Sequence, residues 1–315
     1  MQYSELHCIT NFTFLRGASH PHELVTMASN LGYRALAITD ECSLAGVVKA
    51  HVATFNRNIN LIIGSEFKID SYKVIVLVTN RNSYSKLSSL ITLARRRSKK
   101  GSYQIKWSDL KFNNDGLLII WLPCGDFKKD QLIISQLHDW FERRLWIGFH
   151  NILNGTETSH LSYLQKLSLL WKVNVVACGD VHMHKKDRQP LQDVLTAIKQ
   201  KCSIMELGKS RYPNSERYLR KIEYLKNIYP EELMRETINI SNLCNFSLNE
   251  LRYEYPIEVV PKNLTSKEYL SFLVHQGAKK RWPSRIPKKI LSQINHELNI
   301  IYELNYETYF LTVYD

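Results

Sequence analysis

Seven short runs of aliphatic, β-branched and aromatic residues recur through the first 180 positions, at Tyr3–Cys8, Ala35–Thr39, Leu61–Ile69, Val74–Thr79, Leu117–Leu122, Leu145–Phe149 and Val173–Cys178. Their length and composition suit strands. Amphipathic stretches lie between them, and this alternation predicts parallel strands joined by crossover helices, an α/β architecture. The first helix is well bounded. Pro21 fits a first-turn position, because proline has no N–H to lose there, and Gly32 suits a left-handed stop. Leu24, Met27, Ala28 and Leu31 then line one face.

After Pro190 the strand signal fades, and helical spacing appears at Leu191–Lys199, Ser215–Asn227, Glu231–Cys244, Lys267–Arg281 and Pro287–Leu304. In the last of these, Ile290, Leu291, Ile294, Leu298, Ile301 and Leu304 form one stripe wide enough to need cover. Leu251–Pro261 holds two prolines among scattered aromatics and reads as an extended connector. Three segments follow: a barrel-like domain at 1–205, a helical connector at 206–264 and a further helical segment at 265–315. The first boundary is placed near Cys202–Tyr212.

Several predicted strand ends carry polar, potentially ligating residues: Glu5 and His7, Asp40 and Glu41, Glu66, His150, and Asp180 with His182 and His184. In barrels of alternating strands and helices, sites form where the carboxyl ends of strands converge. The alternation Asp180-x-His182-x-His184 would set three side chains on one side of an extended segment, a spacing able to bind a divalent metal. Each residue alone reads more simply as a cap or a buried structural group, with 11 histidines in the chain. Convergence in space decides between the two.

The chain has 315 residues, 44% of them hydrophobic and 23% charged, which fits about two globular domains and argues against a disordered chain. Lys and Arg exceed Asp and Glu by 12, with +7 through residue 180 and +5 beyond it. That excess favours an anionic partner, nucleic acid first, held electrostatically and without sequence preference because no base-reading module is recognised. Arg95–Lys100 is the dense charge block, either a solvated helix end or a phosphate-binding patch. No two of the six cysteines form a CxxC pair, so free thiols are expected. Neither a Gly-x-Ser-x-Gly turn nor a phosphate-cradling Gly-x-x-x-x-Gly-Lys loop occurs. The strongest apolar run, Leu117–Leu122, is far too short to span a bilayer, so a cytoplasmic protein with no membrane partner is expected.

Three long motifs carry a resemblance. They are the stretch from Glu5 to Pro21 (ELHCITNFTFLRGASHP), the stretch from Leu31 to Val48 (LGYRALAITDECSLAGVV), and Cys178-Gly-Asp-Val-His-Met-His184. They resemble the polymerase and histidinol phosphatase (PHP) domain, and specifically the amino terminus of error-prone bacterial C-family DNA polymerases, paralogues of the polymerase III alpha subunit. Pro190–Ile198, Leu248–Pro256 and Tyr309–Asp315 extend the likeness along the chain. The resemblance implies a distorted (β/α) barrel of PHP type followed by a helical carboxy-terminal segment, with 265–315 as the start of the palm region. In metal-binding relatives the barrel pocket holds up to three divalent ions and hydrolyses phosphoesters or proofreads.

The retained ligand positions are His7, Asp40, Glu66, Asp180 and His182, with His150 less securely aligned. Three others are replaced: Ile9 stands for the second histidine of His-x-His, Arg16 for an aspartate, and Glu41 for the histidine after Thr-Asp. An isoleucine cannot ligate, and an arginine brings positive charge where a cation would sit. The pocket is therefore expected to be vestigial, with no cofactor required and at most residual zinc, manganese or magnesium. The resemblance further implies roles in DNA replication, repair and damage-induced translesion synthesis. Its implied partners are DNA and the remaining polymerase segment or mutasome proteins. The family's paired palm aspartates, which hold two metal ions, lie beyond Asp315, so this chain is not expected to polymerise DNA alone. The competing expectation is a metal-dependent phosphoesterase or 3′–5′ exonuclease using the residual ligands, with Glu41 in place of a histidine.

Overall fold

Each apolar run becomes a strand: β1 (Ser4–Cys8), β2 (Ala35–Ile38), β3 (Asn60–Ile69), β4 (Tyr72–Val78), β5 (Leu117–Leu122), β6 (Leu145–His150) and β7 (Val175–Cys178). The computed structural model describes residues 2–251 and 260–315, which fall into two units, Met1–Leu251 and Arg252–Asp315. Helices of the first unit are α1 (Pro21–Asn30), α2 (Val47–Thr54), α3 (Arg81–Arg96), α4 (Trp107–Phe112), α5 (Phe127–Phe141), α6 (Glu157–Trp171), α7 (Gln189–Gln200), α8 (Ile222–Ile228) and α9 (Glu231–Leu243). Those of the second are α10 (Ser266–Arg281), α11 (Lys288–Glu303) and α12 (Glu307–Tyr314). Among the described residues no helix is long and apolar enough to cross a membrane.

The strands pair in chain order, β1 to β7. Where β7 ends, the Val181 N–H donates to the His7 carbonyl and the Ile9 N–H to the Val181 carbonyl, both at 2.9 Å. These bonds bring the first and last strands together, so the sheet is a nearly closed barrel. Alternate strand residues point inward, and Leu6, Ala37, Ile75, Leu77, Ile120 and Trp146 share one core with Ile240 and Cys244. Leu36, Ile38, Val76, Ile119 and Trp121 belong to a second core packed against the helices. The first helix stops as its sequence predicts, with Gly32 at φ 73°.

The expectation of crossovers throughout fails at one place. β4 runs antiparallel to both β3 and β5, because only Asp70 and Ser71 separate β3 from β4 and a parallel crossover needs a dozen residues or more. Asp70 takes φ 54°, as a tight hairpin requires. The reversal matters for the site: β4 begins, rather than ends, at the mouth where the other strands finish.

The segment read as a separate connector is part of the barrel domain. The boundary expected near Cys202–Tyr212 lies inside the first unit, since α9 packs on β1 and β7. Thr237 accepts from the Ser4 N–H at 3.1 Å, and Glu236 from the Trp146 indole at 2.7 Å, so α9 plugs the end of the barrel opposite the mouth. The predicted helix Ser215–Asn227 also changes, because regular helix starts only at Ile222. Residues 215–221 are instead held by backbone pairing, the Arg217 carbonyl accepting from the His182 and Met183 N–H groups. Most of the predicted connector Leu251–Pro261 lies outside the described residues.

In the second unit, Leu298 of α11 meets Leu270 of α10 and Leu311 of α12, with Ile294 and Ile301 alongside. The predicted stripe is thus covered at its centre, while Leu291 and Leu304 at its ends stay 38% and 56% exposed. No helical spacing announced α12, whose aromatic and β-branched residues resemble a strand.

Candidate functional site

Strand ends, one strand start and the loops beyond them converge on a buried polar cluster at the barrel mouth. His7 comes from the end of β1, Glu66 from β3, His150 from the end of β6, and Asp180 and His182 from the segment after β7. His7 Nε2 lies 2.7 Å from Glu66 Oε2, and His7 Nδ1 lies 3.0 Å from His150 Nε2. His182 Nε2 is 3.3 Å from Asp180 Oδ1. His7, Glu66, Asp180 and His182 are all nearly fully buried.

Protonation follows from these contacts. Burial alone would raise the Glu66 pKa, but the charges of Lys73 and Arg16 and the bond from His7 outweigh it and hold the carboxylate well below its usual range. An ionised carboxylate only accepts, so His7 Nε2 is the donor to it. Burial keeps His7 neutral despite Glu66, which leaves Nδ1 as an acceptor for the His150 Nε2–H. His150 is driven well down by burial and by the neighbouring His7, Lys73 and Arg217. His182 is lowered likewise by burial, Arg16 and Lys73. Three neutral imidazoles therefore stand in a positive field.

That field comes from three cations. Arg16 Nη1 donates to Glu66 Oε1 at 2.7 Å and also to Glu41. Lys73 Nζ, at the start of the reversed strand, sits 3.7 Å from Glu66 and 3.9 Å from Asp180. Arg217 pairs with the other oxygen of Asp180 and stacks over Tyr212, whose ring meets His182 edge-on. Burial pushes the Arg217 pKa down, with repulsion from Arg16 adding to it, to about 10, so it stays charged at neutral pH. Tyr103 donates to the remaining Glu41 oxygen at 2.9 Å. Three carboxylates thus face three cations.

Asp40 does a different job from the one expected. Its carboxylate accepts from the Thr10 N–H at 2.7 Å, the Thr10 hydroxyl at 2.9 Å and the Thr13 hydroxyl at 2.6 Å. This staples the loop after β1, the loop that delivers Arg16. Gly17 completes the fold of that loop, since a Cβ there would lie 2.0 Å from the Thr10 carbonyl oxygen. His184 is diverted as well: Asp180 adopts φ 46°, which breaks the strand-like alternation, and His184 bonds Ser19 Oγ at 2.7 Å instead. Beneath the cluster the buried Glu5 clasps the seam, accepting from the His7 and Gly179 N–H groups at 2.9 Å. Burial raises its pKa against those bonds.

Sequence reasoning missed Lys73, Arg217, Tyr103, Thr10 and Thr13. A two-residue Asp70-Ser71 turn was the available signal for Lys73, because it reverses β4. Nothing local marked Arg217, whose segment looked helical.

The residues matched by family comparison fit this layout. Residues 5–144 match the PHP domain. The first unit carries a PHP domain. Its matched span covers β1 to α5, while His150, Asp180, His182 and Arg217 of the same mouth lie beyond it. Residues 268–315 match the Bacterial DNA polymerase III alpha NTPase domain. The chain is 47% identical over 315 residues to "Error-prone DNA polymerase" of Methylococcus capsulatus, covering 99% of this chain and 30% of that protein. It is 46% identical to the protein of the same name from Saccharophagus degradans, covering 100% and 31%. The chain spans about 30% of the length of these curated relatives. A solved amidohydrolase from Chromobacterium violaceum shares 15% identity and a TM-score of 0.42, over 57% of this chain and 87% of its own.

A metal in the PHP mouth can be tested against the donors present. Ligand atoms of His7, His150 and Asp180 lie within 4.8 Å of one another, so a three-residue donor set exists. Both His7 nitrogens are already bonded, and Asp180 and Glu66 are each matched by guanidinium and ammonium groups. A dication placed there would displace those bonds and meet three fixed positive charges at close range. The donor set as arranged does not fit a multi-ion centre.

Proposed function

We propose that this chain is a portion of an error-prone DNA polymerase acting in cytoplasmic DNA replication and damage-induced translesion repair, and that its PHP barrel is a scaffold rather than a nuclease. Identity to error-prone polymerases along the whole chain supports the first part. One observation carries the second: Arg16, Lys73 and Arg217 stand against Glu41, Glu66 and Asp180. Carboxylates that hydrolytic metal sites leave for cations are here balanced from within. The same pairs tie the loops after β1, β2 and β7 to strands β3 and β4, so the mouth acts as a lock on the barrel.

Elemental analysis of the purified chain after dialysis tests this reading. The expected result is far less than one zinc or manganese ion per chain, with background phosphodiesterase and 3′–5′ exonuclease rates when metal is added. Two or three stoichiometric ions, with an exonuclease activity abolished by His182→Ala, would establish the phosphoesterase reading in its place.

A further inference from the structure

Half of the chain's formal net charge of +12 is gathered in one turn of the second unit. Residues 269–296 contain six Lys or Arg and no Asp or Glu, and all six lie between Lys279 and Lys289. Trp, Pro, Ser and Ile separate them in the sequence, so they do not read as a run in the way Arg95–Lys100 does. The fold concentrates them. Lys279, Lys280 and Arg281 close α10, Arg285 lies in the connection, and Lys288 and Lys289 open α11. All six are exposed.

Helix stability explains only half of this cluster. Cations in the last turn of α10 suit its dipole, but Lys288 and Lys289 occupy the first turn of α11, where positive charge is unfavourable and where no acidic residue offsets it. Among the described residues none of the six has an ion-pair partner, whereas Arg97, Arg188, Arg211 and Arg235 in the first unit each pair with a carboxylate. The Arg95–Lys100 block is partly consumed in the same way, Arg95 by the Glu41 and Cys42 carbonyls and Arg97 by Asp109. Exposed cations without an ion-pair partner among the described residues, two of them placed at a cost to their own helix, are the footprint of a polyanion.

We infer that the α10–α11 turn is a phosphate-backbone contact for DNA, bound by charge and without base reading. Naming the polyanion as DNA rests on the polymerase reading above; the location of the contact does not. Each phosphate neutralised releases counterions, so the salt dependence of binding counts the contacts.

The test uses the full chain and a fluorescein-labelled primer–template DNA, with affinity followed by anisotropy across salt concentrations. Replacing Lys279, Lys280, Lys288 and Lys289 together by Gln should make the log–log salt slope shallower by about 3 to 4 and weaken low-salt binding at least about tenfold. Replacing the same four by Arg should restore both, which separates charge from misfolding. The control R96Q/K99Q/K100Q/K106Q removes equal charge from the first unit and should leave the slope near that of the parent. Equal losses in the two Gln variants would overturn the inference, as would parent-like binding by the first. Heparin run in parallel separates the failures: heparin binding through the four lysines without any DNA binding would sink DNA as the partner and count against the polymerase reading. DNA binding that survives their loss would sink this inference alone.

Discussion

The barrel mouth and the α10–α11 turn both gather positive charge, and they treat it in opposite ways. In the mouth, Arg16 and Arg217 are largely shielded, Lys73 is partly shielded, and each faces a carboxylate within ion-pair distance. In the turn, six cations are exposed and unmatched among the described residues. Net charge alone does not distinguish these two uses. Burial and partners do: a cation that is desolvated must be paired and becomes structural, while one left in water stays available to an external anion.

The largest expected difference between the two regions is in stability. Glu66→Gln would remove a buried charge from between Arg16, whose side chain is 11% exposed, and Lys73, 36% exposed, and we expect a loss of about 3 kcal/mol in urea unfolding. Adding Arg16→Met should recover part of that loss, because the two residues are coupled. Lys288→Gln in the turn should change stability by no more than about 0.5 kcal/mol. A similar small effect for Glu66→Gln would mean that the mouth is not a lock.

Acidification should separate the regions next. His7 and His182, both buried, and the half-buried His150 have pKa values lowered chiefly by desolvation, so below about pH 6.5 the unfolded chain takes up protons that the fold refuses. Stability of the first unit should therefore fall from pH 7 to pH 5, by about 1.4 kcal/mol per pH unit for each histidine still neutral. Glu66 works in a lower window. Its depressed pKa contributes stability that is present above the unfolded carboxylate value and lost only as pH falls through the folded one. Between residues 279 and 289 the turn holds no His, Asp or Glu, so DNA affinity at pH 6, where the fold persists, should match that at pH 7.

A smaller effect sharpens the account of the mouth. Tyr103→Phe removes the hydroxyl that donates to Glu41 and accepts from the Lys68 N–H at 2.9 Å. About 1 kcal/mol of stability should be lost, read as a lower urea midpoint.

The strands were legible because apolar runs bounded by turn residues are a local signal, and all seven form near their predicted positions. Strand direction was not, since an alternating pattern reads the same both ways, and Lys73 was lost with the direction of β4. Of the predicted ligands, His7, Glu66, Asp180 and His182 meet in the mouth together with His150. Asp40 is drawn off by Thr10 and Thr13, and His184 by Ser19 once the left-handed Asp180 breaks the alternation. The replacement at Arg16 was visible in the chain. That Arg217 and Lys73 repeat its role on the far side of the cluster depends on tertiary contacts, Lys73 and Arg217 both reaching Asp180 from separate segments, which no local pattern encodes.

The claim that the mouth is balanced by its own cations is tested most directly by calorimetric melting of the full chain in millimolar manganese or zinc and in a chelator. An ion bound a thousandfold below its working concentration would add about 4 kcal/mol to the folded state, several degrees of melting temperature for a domain of this size. The account predicts transitions of the first unit that coincide in metal and in chelator. A first-unit transition several degrees higher in metal, reversed by chelator, would contradict it.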